Sequence, residues 1–334
     1  MNQVQGLAEY IGWSGYREGL GLPEKVTEEY RMLAQGEYNR NYLFLHPVTG
    51  KKLVLRVNFG SQMHLEDQIG YEYKALELLT GSGRTPKPFY VDGTKERIPY
   101  GIMVMEYLPG HGLDYERELH YAADCLADIH SVPIADDHSL LVPENPLKAI
   151  LEECEAMFLK YESSDLGDGE KKKKIRRMLK KGWERVDSLE SPVYRCCINT
   201  ELNSTNFLIN GEQEGNYLID WEKPLYGDPA QDLGHFLAPT TTFWKTDVIL
   251  EKDRMEDFLD VYLEKVGGRF DTKGLKERTM TYIPVTCLRG ITWCAMAWVE
   301  YQQPGKEIFN ESTARKLEAY LSHEFLDKMA KIVD

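Results

Sequence analysis

Two polar segments near the middle of the chain each adjoin an apolar, strand-like run. Glu201 and Asn206 lie five residues apart in the first segment, and Asp220 ends the apolar run 217–219 in the second. The turn signal at 211–215 between them predicts a hairpin, which would bring Asn206 and Asp220 to one place. Amide and carboxylate oxygens suit Mg²⁺, and a further carboxylate can orient a hydroxyl group. This spacing indicates a phosphoryl-transfer centre, with Asn206 and Asp220 for the metal and Glu201 for the substrate.

A charged residue in a predicted strand supports the same chemistry. The segment 33–57 has the pattern of a β-hairpin, and Arg56 stands in its second strand between apolar neighbours. A charge at such a position needs a partner. Glu72, in the helix-patterned stretch 65–79, is the candidate. An ordinary surface ion pair is the alternative for Arg56 and Glu72.

The remaining elements predict a small lobe with strands and a larger helical one. The apolar run 102–108 ends at Pro109-Gly110, as expected of a strand that leaves one lobe for the next. Helical spacing then dominates, over residues 119–130, 144–160, 171–187 and 289–298. The basic stretch within 171–181 is typical of a solvated helix face.

Composition is that of an ordinary enzyme of the cytosol. The chain has 334 residues, more than one core usually supports, and 42% of them are apolar. No apolar run approaches the length of a membrane span, and the first 20 residues lack a secretory pattern. The six cysteines show no metal-binding spacing, which favours reduced, buried thiols. We therefore expect a cytoplasmic protein that does not bind a membrane.

Charge is divided unevenly along the chain. Residues 1–110 carry a net charge of −1 and the rest carry −13. An acidic larger lobe would repel nucleic acid and attract cationic small molecules, although solubility alone also explains it. The sequence predicts no oligomeric state.

The segment Asn199–Asn206 and the run that ends in Asp220-Trp221-Glu222 resemble the aminoglycoside phosphotransferase and choline kinase superfamily. In that family the catalytic loop reads His, any residue, Asp, four residues, Asn. Here Asn199 stands in place of the His, and Glu201 stands in place of the catalytic Asp. The segment 227–233 resembles the family's Gly-Asp-Pro…Asp-Leu segment.

The resemblance implies an α+β, bilobal, protein-kinase-like fold. A small antiparallel-sheet lobe, 1–107, would bind the nucleotide, and a mainly helical lobe, 108–334, would carry the catalytic and substrate sites. The cofactors would be ATP and Mg²⁺. The implied catalytic residues are Glu201 and Asn199, the metal ligands are Asn206 and Asp220, and the cofactor-binding residues are Asn39, Arg40, Arg56, Glu72, Met105, Glu106 and Leu108. Ordinary turn residues are the alternative for Asn39 and Arg40.

The function that follows is ATP-dependent phosphorylation of a hydroxyl group on a small molecule. A cationic amino-alcohol or an aminoglycoside-like compound is one kind of acceptor, for which Trp244, Trp293 and Trp298 are candidate contacts, with a role in the core as the alternative. Because Glu201 is one methylene longer than Asp, a catalytically weak nucleotide-binding protein is the second hypothesis, in which Glu201 only braces the loop. Transfer of a nucleotidyl group is the third.

Overall fold

The computed structural model describes residues 4–303 and 311–334 and has the predicted α+β, kinase-like architecture. Five antiparallel strands form one sheet in the order β1-β2-β3-β5-β4. Their bounds are β1 Arg31–Gln35, β2 Asn39–Leu45, β3 Lys52–Asn58, β4 Pro88–Asp92 and β5 Gly101–Glu106. Two short antiparallel pairs follow, made by β6 (Cys196–Ile198) with β9 (Leu225–Gly227) and by β7 (Phe207–Leu208) with β8 (Tyr217–Leu218).

Twelve helices surround and follow the sheet within the described residues. They are α1 Leu7–Gly12, α2 Ser14–Leu20, α3 Gln68–Leu79, α4 Leu119–His130, α5 Pro146–Glu162, α6 Gly169–Trp183, α7 Pro229–Leu237, α8 Pro239–Lys245, α9 Lys252–Val266, α10 Leu275–Gln302, α11 Glu311–Tyr320 and α12 His323–Val333. The helices predicted over 65–79, 119–130, 144–160, 171–187 and 289–298 are confirmed as α3, α4, α5, α6 and part of α10, with small shifts at their ends.

Strand alternation fixes which side chains of the sheet face the larger part of the molecule. Asn41 of β2 lies opposite Arg56 of β3. Successive side chains of a strand point to opposite faces, so Leu55 and Val57 lie on the other face, in an apolar cluster with the N-terminal helices. The face that carries Arg56 is therefore the one that meets α3.

Helix α3 begins at a side-chain cap and packs against the sheet. The Asp67 carboxylate accepts a hydrogen bond from Gly70 N at 2.9 Å, which caps the first turn. Ile69, Leu76 and Leu79 are buried, and Glu72 is buried with them. Packing of this apolar side against the sheet holds the Glu72 carboxylate in the interior, where it requires a charged partner.

The larger apolar core crosses the boundary that the sequence predicts at residue 107. Val54 and Met103 of the sheet belong to the same cluster of buried residues as Leu126 of α4 and Leu288 of α10. The division into 1–107 and 108–334 stays a prediction. None of the helices within 4–303 and 311–334 is both long and apolar enough to cross a membrane.

Candidate active site

The hairpin of β7 and β8 brings the two predicted metal ligands together. Asn206 ends a short 3₁₀ turn just before β7, and its carbonyl oxygen accepts a hydrogen bond from Ile219 N at 2.8 Å. Asp220 follows directly. Asn206, Asp220, Glu201 and Glu222 line one cavity of about 360 Å³. The hairpin register therefore explains why two residues 14 positions apart in sequence face the same space.

Asn199 holds the two loops of the site in place from behind. Its side chain is fully buried, and its Nδ2 donates to the carbonyl oxygen of Asp220 at 2.9 Å, while its Oδ1 accepts from Glu201 N at 3.1 Å. The sequence predicted a catalytic role, but Asn199 is not among the cavity-lining residues. The structure instead supports a positioning role, because its amide connects two loops. One carries Asp220 and Glu222 and is called the metal loop here after its predicted ligand, and the other is the segment 199–206, called the catalytic loop.

Asp232 anchors the same loop. Its two carboxylate oxygens accept from Asn199 N and Thr200 N, both at 2.7 Å, and His130 Nε2 lies 3.3 Å from it. The sequence identified the segment of Asp232 by resemblance but did not assign this role. Thr200 and Asp220 have φ values of 68° and 67°, in the left-handed region. Asp adopts this region more readily than most residues, but the β-branched Thr200 rarely does. Such backbone strain persists where surrounding contacts fix it, and here those contacts are the bonds of Asn199 and Asp232.

Arg56 joins the sheet to the metal loop. Its guanidinium forms a buried ion pair with Glu72 and lies 3.3 Å from Asp220 Oδ1. Arg56 Nε also donates a hydrogen bond to Asn41 Oδ1 at 3.1 Å. Burial alone would lower the pKa of Arg56, but the carboxylates of Glu72, Asp220 and Glu222 raise it above its ordinary value. The surface ion pair considered from sequence is wrong for Arg56 and Glu72, since both side chains are buried.

Glu222 is the second carboxylate of the metal loop. Burial, with Asp220 close by, raises the pKa of Glu222 to about 8, although Arg56 opposes the shift. Its Oε1 accepts a hydrogen bond from Asn39 Nδ2, and Asn39 Oδ1 in turn accepts from Asn58 Nδ2 at 2.9 Å. The amide of Asn39 is thus occupied by Glu222, an arrangement that does not favour the predicted phosphate contact.

Glu201 contacts two cationic side chains that were not predicted from the sequence to belong to the site. Lys223 Nζ lies 3.0 Å from Glu201 Oε1, and Arg289 Nη2 lies 3.6 Å from the same oxygen. Glu153 of α5 accepts from Arg289 Nε at 2.9 Å and orients the guanidinium. Partial burial would raise the pKa of Glu153, but Arg289 lowers it on balance. The sequence did contain a sign that Arg289 has a specific partner, because its charge lies within the apolar part of α10.

Comparison with known proteins identifies a family for the chain. The model of the phosphotransferase enzyme family, abbreviated APH, matches residues 29–266. The chain belongs to this phosphotransferase family. Among curated proteins, none matches the chain significantly.

Solved structures of phosphotransferases share the fold at low sequence identity. A spectinomycin phosphotransferase in complex with ADP and spectinomycin is 12% identical, with a TM-score of 0.65 and coverage of 99% of this chain and 98% of that one. An ethanolamine kinase from Plasmodium vivax is 15% identical, with a TM-score of 0.63 and coverage of 96% and 90%. A choline kinase from Cryptosporidium parvum Iowa II is 16% identical, with a TM-score of 0.63 and coverage of 97% of each chain.

The predicted cofactor-binding residues Met105, Glu106 and Leu108 of the phosphotransferase lie at the end of β5 and just after it. Met105 is buried there, and Glu106 N donates to Lys87 O at 2.8 Å. Leu108 follows two residues later and is partly buried. Their roles in binding a nucleotide stay predictions.

Arg40 lies on the other face of the sheet from Asn39 and Asn41. Its guanidinium carbon is 5.2 Å from the centroid of the Phe59 ring. Strand alternation places neighbouring side chains on opposite faces, so the predicted phosphate contact of Arg40 is not favoured. Asn41, which sequence reasoning did not single out, faces Arg56 instead.

The donor set of the phosphotransferase fits a magnesium ion. Asn206 Nδ2 donates to the Glu201 carbonyl at 3.1 Å, which leaves the amide oxygen of Asn206 as an acceptor. The Asp220 side chain is 42% exposed and faces the cavity. Within the described residues, no group of three or more His, Cys, Asp or Glu side chains is arranged to hold a metal. Magnesium bound with substrate phosphates and waters needs only one or two protein ligands, all oxygen.

Proposed function

We propose that this phosphotransferase uses ATP and Mg²⁺ to phosphorylate a hydroxyl group of a small molecule. The observation that carries the proposal is the convergence of Glu201, Asn206 and Asp220 on one cavity, with Arg56 3.3 Å from Asp220. Phosphoryl transfer depends mainly on positioning and on neutralising charge, and this arrangement offers both.

The cavity-lining residues and the adjacent buried pair Arg56 and Glu72 have distinct roles in the proposal. Asn206 and Asp220 supply oxygen ligands for Mg²⁺, and Arg56, oriented by Glu72, binds the phosphates. When bound, magnesium-ATP supplies an activated phosphoryl group with part of its charge neutralised. Glu201 would accept a hydrogen bond from the acceptor hydroxyl, orient its oxygen, and take its proton as the new oxygen–phosphorus bond forms and the bond from the γ-phosphorus to the bridging oxygen breaks, with ADP as the leaving group.

Lys223 and Arg289 fix the direction of the Glu201 carboxylate. A Glu has one more rotatable bond than the family's Asp, so it needs further contacts to hold a single position. The ion pairs at 3.0 and 3.6 Å are such contacts. They support the proposal that Glu201 acts on the acceptor hydroxyl although it replaces the family's Asp.

The cytosol is the compartment that we propose. All six cysteines are buried and free, which supports a reducing environment.

The proposal is tested by magnesium-dependent ATP consumption in the presence of a panel of alcohols, amino-alcohols, sugars and aminoglycosides. Stimulation by at least one hydroxyl compound is expected, and Asp220→Ala should reduce it by roughly a hundredfold or more. The control is Asp187→Ala, which removes an exposed carboxylate outside the cavity and should retain activity. Mass spectrometry of the product should give a phosphate adduct. Absence of stimulation by every compound, or an adenylate product, contradicts the proposal.

A further inference from the structure

The cavity extends beyond the metal ligands into an aromatic arm. This arm, defined here as the cavity lining contributed by α8, α10 and α11 other than Arg289, has two indole walls, Trp244 and Trp293. Their ring centroids are 5.2 Å apart and their planes meet at 86°, so the two rings form a corner. Trp293 is 38% exposed, so part of its ring is accessible to a ligand in the cavity. Trp298 packs on Tyr161, with 6.0 Å between ring centroids, and does not line the cavity.

The charges of the cavity are segregated. The described acidic residues that line it, which are Glu37, Glu201, Asp220 and Glu222, are contributed by the β1–β2 turn and by the catalytic and metal loops. The described lining of the aromatic arm contains no Asp or Glu. Arg289 is the one Lys or Arg among the cavity's described lining residues, and it borders the arm on the side of Glu201.

The environment of the indoles also opposes a cationic ligand. Lys245 Nζ lies 6.0 Å from the centroid of the Trp244 ring, so the protein already places an ammonium group near that indole. A protonated amine entering the arm would lose hydration and gain no described carboxylate within it, and the nearby carboxylates of Glu153 and Glu201 are already paired with Arg289. The hydroxyl groups of Thr240, Thr241 and Thr286 line the cavity and offer only neutral hydrogen bonds.

We infer that the acceptor of this site is an uncharged alcohol whose body is a planar or apolar ring. The ring would pack in the corner of Trp244 and Trp293, and the hydroxyl would reach Glu201. This departs from the cationic amino-alcohol that the sequence left open. The inference rests on the proposed function, since it names the acceptor class of the same cavity.

Three probes that share a 3-phenylpropan-1-ol unit separate the effect of charge from that of shape. They are 3-phenylpropan-1-ol, which is uncharged, phenylalaninol, which adds a protonated amine at C2, and 2-benzyl-3-hydroxypropanoate, which adds a carboxylate at the same carbon. Each is titrated by calorimetry into the full chain with Mg²⁺ and a non-hydrolysable ATP analogue. The Kd of 3-phenylpropan-1-ol should be lower than that of either charged probe by about tenfold or more.

Variants of Trp293, which lines the cavity, and of Trp298, which does not, test where the probe binds. Trp293→Ala should raise the Kd of 3-phenylpropan-1-ol by about tenfold, and Trp293→Phe should restore most of the affinity. Trp298→Phe, outside the cavity, should leave the Kd unchanged. Circular dichroism and melting temperature establish that each variant is folded.

The inference is overturned if a charged probe binds as tightly as the uncharged one, if none of the three binds, or if Trp293→Ala has no more effect than Trp298→Phe. The titration requires no phosphoryl transfer. A negative titration therefore does not bear on the activity assay with Asp220→Ala. If that assay shows no activity, the titration still measures whether the probes bind.

Discussion

The side-chain amide of Asn199 donates a hydrogen bond to the backbone carbonyl of Asp220 at 2.9 Å. This bond ties the segment that carries Glu201 to the segment that carries a proposed metal ligand. It passes behind the cavity, where neither a nucleotide nor an acceptor would touch it. The relative position of the two loops therefore depends on a residue that takes no part in the chemistry.

Replacement of Asn199 by Ala should separate positioning from folding. The variant leaves the partly buried carbonyl of Asp220 without its partner, which should cost about 1 kcal/mol in the free energy of unfolding. A loop displacement of about 1 Å should lower kcat on the order of tenfold to a hundredfold. Urea denaturation and steady-state kinetics measure the two effects.

Thr279→Val is the matched control for Asn199→Ala. Thr279 is fully buried and donates to the carbonyl of Leu275 at 2.9 Å, outside the cavity lining. Its loss should destabilise by about 1 kcal/mol and leave kcat unchanged. An Asn199→Ala protein that is destabilised but keeps the wild-type kcat would contradict the positioning role.

Removal of Arg56 should be more damaging than removal of both members of its ion pair. Arg56→Ala leaves the buried Glu72 carboxylate without its main counter-charge, so we expect a loss of about 3–5 kcal/mol in unfolding free energy. The double variant Arg56→Met, Glu72→Leu should recover most of this loss, because no charge stays buried without a partner. Denaturant titration of the two proteins makes the comparison.

Nucleotide binding should stay weak in the double variant even though its stability recovers. The thermal shift produced by Mg²⁺ and a non-hydrolysable ATP analogue should be small or missing in both Arg56 variants. If the double variant is as unstable as Arg56→Ala, or if it binds the nucleotide as the wild type does, the proposed role of the pair is wrong.

Shortening Glu201 should withdraw its carboxylate from Lys223. Glu201→Asp should lower kcat by about tenfold to a hundredfold, since the loop is built around the longer side chain. Lys223→Met should have an effect in the same direction, and the two changes should be non-additive because the side chains are in contact. Steady-state kinetics on the single and double variants provide the measurement.

The opposite outcome favours the second hypothesis for this protein. A gain of about tenfold or more in Glu201→Asp, or about 1.4 kcal/mol off the barrier, is expected of a catalytically weak nucleotide-binding protein. Glu152→Asp, on the exposed side of α5, is the control and should behave as the wild type.

His235 should make stability fall on the acid side of neutrality. Burial, together with the nearby Arg289, lowers the pKa of His235 from its ordinary 6.5 to about 3. Between these values the unfolded chain binds a proton that the folded protein does not, so stability is full above pH 6.5 and declines as the pH falls towards 3. The decline should be at most about 1 kcal/mol per pH unit, given the partial exposure of the ring.

His235→Gln should flatten that decline relative to the wild type, whereas His64→Gln, at an exposed position, should not. Urea denaturation at half-unit steps from pH 7 to pH 4 measures the difference between the proteins. Parallel curves for the wild type and His235→Gln would show that His235 does not titrate in this window.

The sequence by itself determined the fold class and the place of the two loops. The hairpin between Asn206 and Asp220 is local, because turn residues and apolar runs set its register, and the structure brings the two side chains to one cavity. Arg56 and Glu72 were also predictable as a pair, since a charge in a buried strand requires a partner and the next helix offers one. These inferences used only nearby residues or a charge with few possible partners.

Tertiary structure decided the contacts that join distant parts of the chain. Arg289 lies 88 residues from Glu201, and neither hydrophobic period nor spacing shows that α10 turns its guanidinium towards the catalytic loop. The direction of Asn39 and Arg40 depends on strand register, because a shift of one residue exchanges the two faces of the sheet. The corner of Trp244 and Trp293 arises from the packing of α8 against α10, and a linear pattern does not record the angle between two helices.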